Sequence, residues 1–408
     1  MHRQLTLVAA PPPEAAAAVL DTVWPALRSS LDGDRPLAVL PAGTGPADAA
    51  RAVLRPDEPL EPGTDLVVVT SGSTGAGKGV LLSATALRAS AAATADRLGG
   101  PGSWLLALPT SAIGGLQVLV RSALAGREPV VLSRGEALVA AATRLPAGDR
   151  RYISLVPTQL RRYLADEPDA LASFDAVLLG GAAADPGLLD DARAAGVRVR
   201  TTYGMSETAG GCVYDGAPLE GVGARVTEQG IELSGPMLAL GYRLDVGATA
   251  AAFTADPDGV RWFRTRDAGA WQVGACQASA PLSGKTLAQS GRLVVHGRLD
   301  DVVISGGVNV SPQAVEAVLR EHPSVADAVV TGLPDPEWGQ RVVAAVVAAP
   351  GAVPDLAELR PWVAARLGAA AAPRELSVVD AVPTLHTGKP DRLAVARTLM
   401  SHTPRGTD

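Results

Sequence analysis

A run of small residues ending in a charge, Ser71-Gly72-Ser73-Thr74-Gly75-Ala76-Gly77-Lys78-Gly79, is where residue type and spacing first suggest chemistry. Backbone N–H groups in such a run can come close to a polyphosphate. The hydroxyls of Ser71, Ser73 and Thr74 add donors, and Lys78 adds a positive charge. The spacing GxxxxGK nearly spells a nucleoside-triphosphate loop, but Gly79 stands at the eighth position, where that motif needs Ser or Thr to hold magnesium. The run therefore predicts phosphate binding without the metal ligand of a phosphotransferase.

Lysine is scarce: Lys78, Lys285 and Lys389 are three of 36 basic residues, and the rest are arginine. In such a chain a lysine marks a place suited to a compact ammonium on a flexible stem rather than a planar fork. Lys78 and Lys389 have neighbours that suggest phosphate chemistry, whereas Lys285, in PLSGKTLAQSG, reads as an ordinary loop residue. Cys212 and Cys276 lack any metal-type spacing and read as buried thiols. The five histidines, His386 among them, are scattered and read as structural or exposed.

The longer string TSGSTGAGKGV, from Thr70, resembles the ATP-phosphate loop of the adenylate-forming superfamily of acyl-CoA synthetases. Gly77 replaces that family's usual proline, which predicts a more mobile loop. Gly180-Gly181-Ala182, within GGAAA, and TTYGMSET at 201–208 resemble the adenine-binding segments. The resemblance implies Tyr203 as a stacking face next to Gly204, Ser206 in the usual threonine place and Glu207 as the magnesium ligand. FRTRDAG at 263–269 resembles the ribose segment and implies Asp267 as its ligand, with Arg266 where the family has glycine. GRLDDVVISGGVNVSPQAVE, from Gly297, resembles the hinge. There Arg298 would reach the ribose, Asp300 would be the pivot, and Ser305-Gly306-Gly307 would line the path of coenzyme A. PTLHTGKPDR, from Pro383, resembles the loop that carries a catalytic lysine, here Lys389.

The resemblance implies ATP, Mg2+ and coenzyme A as the reacting set, with a carboxylic acid activated to an acyl-adenylate and then to a thioester. SLVPTQL, from Ser154, and the short stretch ahead of the phosphate loop resemble the o-succinylbenzoate-CoA ligases of menaquinone biosynthesis, which implies a substrate with two carboxylates. The acyl pocket would involve Gly115 in LPTSAIGG, Ser154 and Thr158. Arg121 is the first choice, and Arg127 the second, to grip the second carboxylate through paired hydrogen bonds. Ala112 stands where the family has histidine, and with 3% aromatic residues the pocket is expected to be small side chains around one cation. The alternatives are a ligase for another aryl or short acid, a degenerate adenylate-binding protein, and a P-loop phosphotransferase.

These residues need elements to hold them. Leu66–Thr70 reads as a buried parallel strand feeding the glycine loop, and Ser83 as the N-cap of an alanine-rich helix ending at Gly99-Gly100. Strands are expected at 104–108, 129–132, 152–156, 176–179 and 197–201, with a helix opened by Asp185-Pro186. From Arg292 short strands precede a helix opened by Ser311-Pro312. Strands at 326–331 and 341–348 follow, then a helix with a capping box of Asp355 and Glu358, and a strand near 376–379. The stretch from Trp271 to Ser290 reads as a surface loop.

The predicted fold is α/β: a large layered domain over 1–297 of the adenylate-forming type, and a smaller mobile α+β domain over 298–408, hinged near 298–301. With 408 residues, two domains fit the usual size, and 47% hydrophobic residues exclude disorder throughout. A net charge of -6 argues against nucleic acid as a partner. No apolar run is long enough to insert in a membrane, and the amino-terminal one is too short for a signal peptide. A cytoplasmic protein that takes small molecules is the expectation, with a homodimer as its expected assembly.

Overall fold

The computed structural model describes residues 3–70, 77–183, 185–273, 291–299, 301–383 and 391–402. Internal contacts divide the chain into two units. The first comprises Met1–Arg225, Glu232–Thr265 and Trp271–Leu293, and the second Val226–Ile231, Arg266–Ala270 and Val294–Asp408.

In the first unit, β1 (Thr6–Ala9), β2 (Leu37–Leu40), β3 (Leu66–Thr70) and β4 (Lys78–Leu82) form a sheet with helices α1 (Val23–Leu31) and α2 (Thr44–Leu54). Strand β3 is parallel to β2 but antiparallel to β4, with Thr70 opposite Lys78. The parallel pairing expected of this strand is present on its β2 side, and its β4 side is antiparallel. Thr70 and Lys78, at the two ends of the glycine run, thus lie on antiparallel strands, and the next helix begins only at Ala84. Helix α3 (Ala84–Leu98) then starts where expected, Ser83 Oγ accepting from Ala86 N, and stops at Gly99 with φ 85°.

A second sheet contains β5 (Ser103–Leu106), β6 (Val130–Val131), β7 (Arg151–Leu155), β8 (Ala176–Leu179), β9 (Val199–Met205), β10 (Gly210–Tyr214) and β11 (Ala217–Pro218). Its order is β11-β10-β9-β8-β7-β5-β6, and from β9 to β6 the neighbours run parallel. Helices α4 (Ile113–Leu124), α5 (Leu138–Thr143), α6 (Pro157–Asp166), α7 (Pro168–Ala172) and α8 (Pro186–Ala194) make the crossovers. Asp185 caps α8 by accepting from Gly187 N. Leu105, Ile153, Leu155, Val177 and Leu179 pack with Leu160 and Leu188 into one core. Each such side chain is worth roughly 1.5–3 kcal/mol of burial.

Beyond these lie β12 (Gly223–Thr227), β13 (Gly230–Ser234), β14 (Gly241–Tyr242), α9 (Val246–Ala252), β15 (Phe253–Ala255), β16 (Arg261–Arg264), β17 (Asp267–Val273) and β18 (Gly291–Arg298). Strand β14 extends the first sheet by pairing with β4, Tyr242 opposite Val80. Trp271 to Val273 belong to β17, which corrects the loop expected there; residues 274–290 lie outside the described residues.

The second unit contains β19 (Val303–Ser305), β20 (Val308–Val310), α10 (Pro312–Arg320), β21 (Val325–Asp335), β22 (Gly339–Ala348), α11 (Leu356–Leu367), β23 (Glu375–Val378) and α12 (Arg392–His402). Val342, Ala344 and Val346 face α10 and α11, while Val343 and Ala345 face α12. With both faces covered, β22 reads as an unbroken apolar run. The capping box at α11 is only half made: Asp355 accepts from Ala357 N, but Glu358 makes no return bond to the Asp355 N–H. Among the described residues no helix is long and apolar enough to cross a membrane.

Candidate active site

In a mostly parallel sheet, loops diverge at the carboxyl ends of the strands where the chain order reverses, which leaves a crevice. Here β6 lies on one side of β5 while β7 and β8 lie on the other, so the reversal falls between β5 and β7. The segments after these strands are LPTSAIGG and VPTQL. Gln159 spans them, donating from Nε2 to Ala107 O at 2.8 Å and accepting from Val156 N at 3.1 Å. Thr158 is exposed at the start of α6, and Ser154 is buried with its Oγ lacking any partner. At the same edge, Gly180, Gly181 and Ala182 follow β8, and Tyr203 and Gly204 end β9 before the 3-10 turn Ser206–Thr208. A Cβ on Gly180 would lie 2.4 Å from Thr202 Oγ1, and one on Gly204 2.1 Å from Gly210 O, so both must stay bare. Ser206 is buried in the turn that presents Glu207.

Glu207 and Lys78 come together around a residue the sequence reading missed. Tyr242 Oη donates to Glu207 Oε1 at 2.9 Å, and Lys78 Nζ lies 4.7 Å from the Tyr242 ring centroid. Lys78 is exposed at the end of the glycine loop, beside Thr70, whose Oγ1 donates to Lys78 O at 3.3 Å. Gly79 also has a structural reason: a Cβ there would lie 2.8 Å from Cβ of Arg243. The Arg243 guanidinium donates to the carbonyls of Leu54, Arg55, Glu58 and Pro59 and to Glu61. A hydroxyl residue at 79 would disturb that clamp. A side chain at Gly77 would come 2.7 Å from Thr70 O. Ser71, Gly72, Ser73, Thr74 and Gly75 lie outside the described residues, as do Asp300, His386, Lys389, Lys285 and Cys276.

Arg121 sits on α4, eight residues beyond its start and about 12 Å deeper along the helix axis. It is 7% exposed. Its guanidinium lies 4.9 Å from the Trp104 ring centroid, and Nη2 donates to Tyr214 Oη at 3.4 Å, which in turn bonds Thr94. Nε has no partner, and burial pushes its pKa down. Arg121 borders a cavity of about 240 Å³ with Ala91, Ala95, Trp104, Leu124 and Tyr152. The cavity lining also includes Asp96. Arg127 is corrected as the alternative, because it already grips Asp149, Nη2 to Oδ1 at 2.8 Å, holding that carboxyl at about 2. Gly115 packs on Pro109, whose carbonyl would lie 2.2 Å from a Cβ. Cys212 is buried, its thiol pushed up to about 12.

In the second unit, Asp267 is buried at the start of β17, which pairs with β18, and Leu299 N donates to Arg266 O at 2.8 Å. This brings the Asp267 and Arg298 segments side by side. Arg266 takes φ 61°, a left-handed conformation that glycine adopts readily. Gly306 and Gly307, with φ 59° and 78°, make the two-residue turn of the β19–β20 hairpin, where Ser305 faces Val308.

Residues 9–239 match the model of the AMP-binding enzyme family, and residues 314–389 that of the AMP-binding enzyme C-terminal domain. The chain belongs to the AMP-binding enzyme family. A probable 2-succinylbenzoate–CoA ligase of Mycobacterium tuberculosis is 47% identical over 91% of this chain and 94% of its own length. The 2-succinylbenzoate–CoA ligase of Geobacillus kaustophilus is 34% identical over 88% and 73%. A solved o-succinylbenzoate coenzyme A synthetase of Bacillus subtilis, in complex with ATP and magnesium ion, shares the fold. It has a TM-score of 0.75 and 23% identity, covering 98% of this chain and 89% of that one.

In this AMP-binding enzyme, no cluster of three or more metal-ligating side chains occurs among the described residues. Glu207 offers one carboxylate, half-buried, with Oε1 held by Tyr242 and no cationic side chain paired to it among the described residues. That suits an ion that keeps water and phosphate oxygens as its other ligands, as magnesium does. Tyr242 carries no spacing signal, because its partners come from distant parts of the chain.

Proposed function

We propose that this chain is an ATP-dependent 2-succinylbenzoate–CoA ligase. The named activity of relatives that match most of its length supports this reading. The observation that carries the choice of a dicarboxylate is Arg121, a buried guanidinium that pairs with no carboxylate among the described residues and borders a cavity. Burying a cation without its counter-charge is costly. A substrate carboxylate that reaches the guanidinium would offset that cost.

In the first half-reaction a carboxylate oxygen of the acid attacks the α-phosphorus of ATP, the α–β bridging P–O bond breaks, and pyrophosphate leaves. In the second, the coenzyme A thiol attacks the acyl carbon, the acyl–phosphate C–O bond breaks, AMP leaves, and the thiol proton passes to solvent. Lys78 and residues 71–75 would hold the phosphates, Glu207 would hold magnesium, and Tyr203 and Gly180-Gly181-Ala182 would border the adenine. Asp267 and Arg298 take the ribose. Magnesium, when bound, neutralises phosphate charge. The Lys389 ammonium stabilises the charge that grows as two anions meet. Domains of 1–297 and 298–408 turn about Asp300, and the Gly306-Gly307 turn then lines the coenzyme A path. Dependence on ATP and coenzyme A fits a cytoplasmic location.

Purified protein given ATP, Mg2+, coenzyme A and 2-succinylbenzoate is expected to yield AMP and pyrophosphate in equal amounts; ADP as product would overturn the reading. Arg121→Ala should raise KM for 2-succinylbenzoate by about 10-fold to 100-fold through loss of a charge-assisted pair, and should leave KM for a monocarboxylic aryl acid unchanged. Equal effects on both acids would remove Arg121 from substrate recognition.

A further inference from the structure

Lys78 and Glu207 have opposite charges and arise from separate elements, β4 and the turn after β9. Among the described residues they form no direct ion pair, and each instead contacts Tyr242. Its ring carries the ammonium at 4.7 Å, and its hydroxyl donates to the carboxylate at 2.9 Å. We propose that Tyr242 is a positioning residue that keeps the phosphate-binding cation and the metal-binding carboxylate apart, so that each meets its ligand and not the other. The proposal rests on the ligase reading, with Glu207 as the magnesium ligand.

The ring is well fixed. Tyr242 is 7% exposed, its backbone is registered on β4 opposite Val80, and its N–H donates to Thr249 Oγ1 at 2.9 Å. Phe253 packs beside it with ring centroids 5.9 Å apart. A neutral aromatic spacer has a consequence that a salt bridge lacks. A directly paired lysine and glutamate would neutralise one another, and each ligand would have to break that pair before binding. With the ring between them, Lys78 gains a cation–π seat that holds the ammonium without quenching its charge. The phenol occupies one Glu207 oxygen and so fixes the plane of the carboxylate, leaving the other for a cation. Preset ligand orientation of this kind raises metal affinity, and losing it typically costs 10-fold to 100-fold.

Full-length Tyr242→Phe tests this, because it keeps the ring under Lys78 and against Phe253 and removes only the hydroxyl. Mn2+ binding to the protein with α,β-methylene-ATP, read by electron paramagnetic resonance, is expected to weaken about 10-fold. Binding of AMP without metal should be unchanged, and the free-Mg2+ requirement of pyrophosphate release should rise by a similar factor. The Tyr242→Phe change made on top of Glu207→Gln should have little further effect on Mn2+ affinity, since the two act through one contact. Tyr242→Leu, which also removes the ring, should weaken metal-free ATP binding as well.

Mn2+ affinity of Tyr242→Phe equal to that of the wild type would overturn the proposal. So would an equal loss of AMP binding and Mn2+ binding, which would make Tyr242 a general packing residue, and so would fully additive effects with Glu207→Gln. Failure of the ligase reading looks different: the wild type itself would then release no pyrophosphate with any acid offered.

Discussion

Arg266 shows what a single position costs. At φ 61° a side chain crowds its own backbone by roughly 1–2 kcal/mol, whereas glycine in its place gives back about 0.5–1 kcal/mol through the entropy of the unfolded chain. Arg266→Gly should therefore stabilise the protein by about 0.5–1 kcal/mol, seen as a rise of a degree or two in Tm. A fall in Tm would mean that contacts of the guanidinium outweigh the strain. The departure at 266 was visible in the sequence as an arginine in a glycine place, and its physical meaning, a left-handed backbone, was not. Lys78 and Glu207 could be singled out for the opposite reason, since each sits in a run whose neighbours suggest one chemistry, and the structure brings both to Tyr242. Tyr242 was not, because a lone tyrosine in ALGYRLD announces neither its hydroxyl's partner nor its ring's. Arg127 misled as an alternative to Arg121 because two arginines near one helix end look alike until one is found bound to Asp149.

Elements with local start and stop chemistry were the readable ones: Ser83, Asp185, Ser311 and Asp355 all accept a backbone N–H at the head of a helix. Short strands such as Thr6–Ala9 and Leu37–Leu40 were not, since three or four apolar residues among many alanines and prolines have no distinctive period. The turn that presents Glu207 is likewise invisible locally. It ends at Ala209, held at φ 48° by two distant helices: Ser90 Oγ donates to Ala209 O at 2.9 Å and Gln117 Nε2 donates to it at 2.7 Å. Both donors are buried, and their bonds oppose the cost of a left-handed alanine. Gln117→Ala should cost roughly 1–3 kcal/mol in chemical denaturation, and because the turn then relaxes, adenylation should slow even in protein that remains folded. Gln117→Ala with wild-type adenylation would show that the turn holds its shape by backbone pairing with β10 alone.

The whole chain joins two units whose membership is not linear in sequence: residues 226–231 and 266–270 belong with the carboxyl-terminal part by their contacts. Strand pairing between distant segments leaves no mark on local composition, so the change of pattern near Arg292 was readable and these two excursions were not. On the proposed reading the division has a kinetic consequence. Lys389, carried by the smaller domain, is needed while the carboxylate approaches the α-phosphate, and it has no part once the adenylate exists and coenzyme A attacks. Lys389→Ala should slow acyl-adenylate formation by about 10²-fold to 10³-fold, the range for loss of one preorganised charge donor. Transfer from preformed acyl-adenylate to coenzyme A should slow far less. Single-turnover measurements of the two steps separate them, because pyrophosphate release reports the first and thioester formation from added adenylate the second. Equal slowing of both would mean that Lys389 supports one fixed site, and the turning of one domain against the other would then have no place in the mechanism.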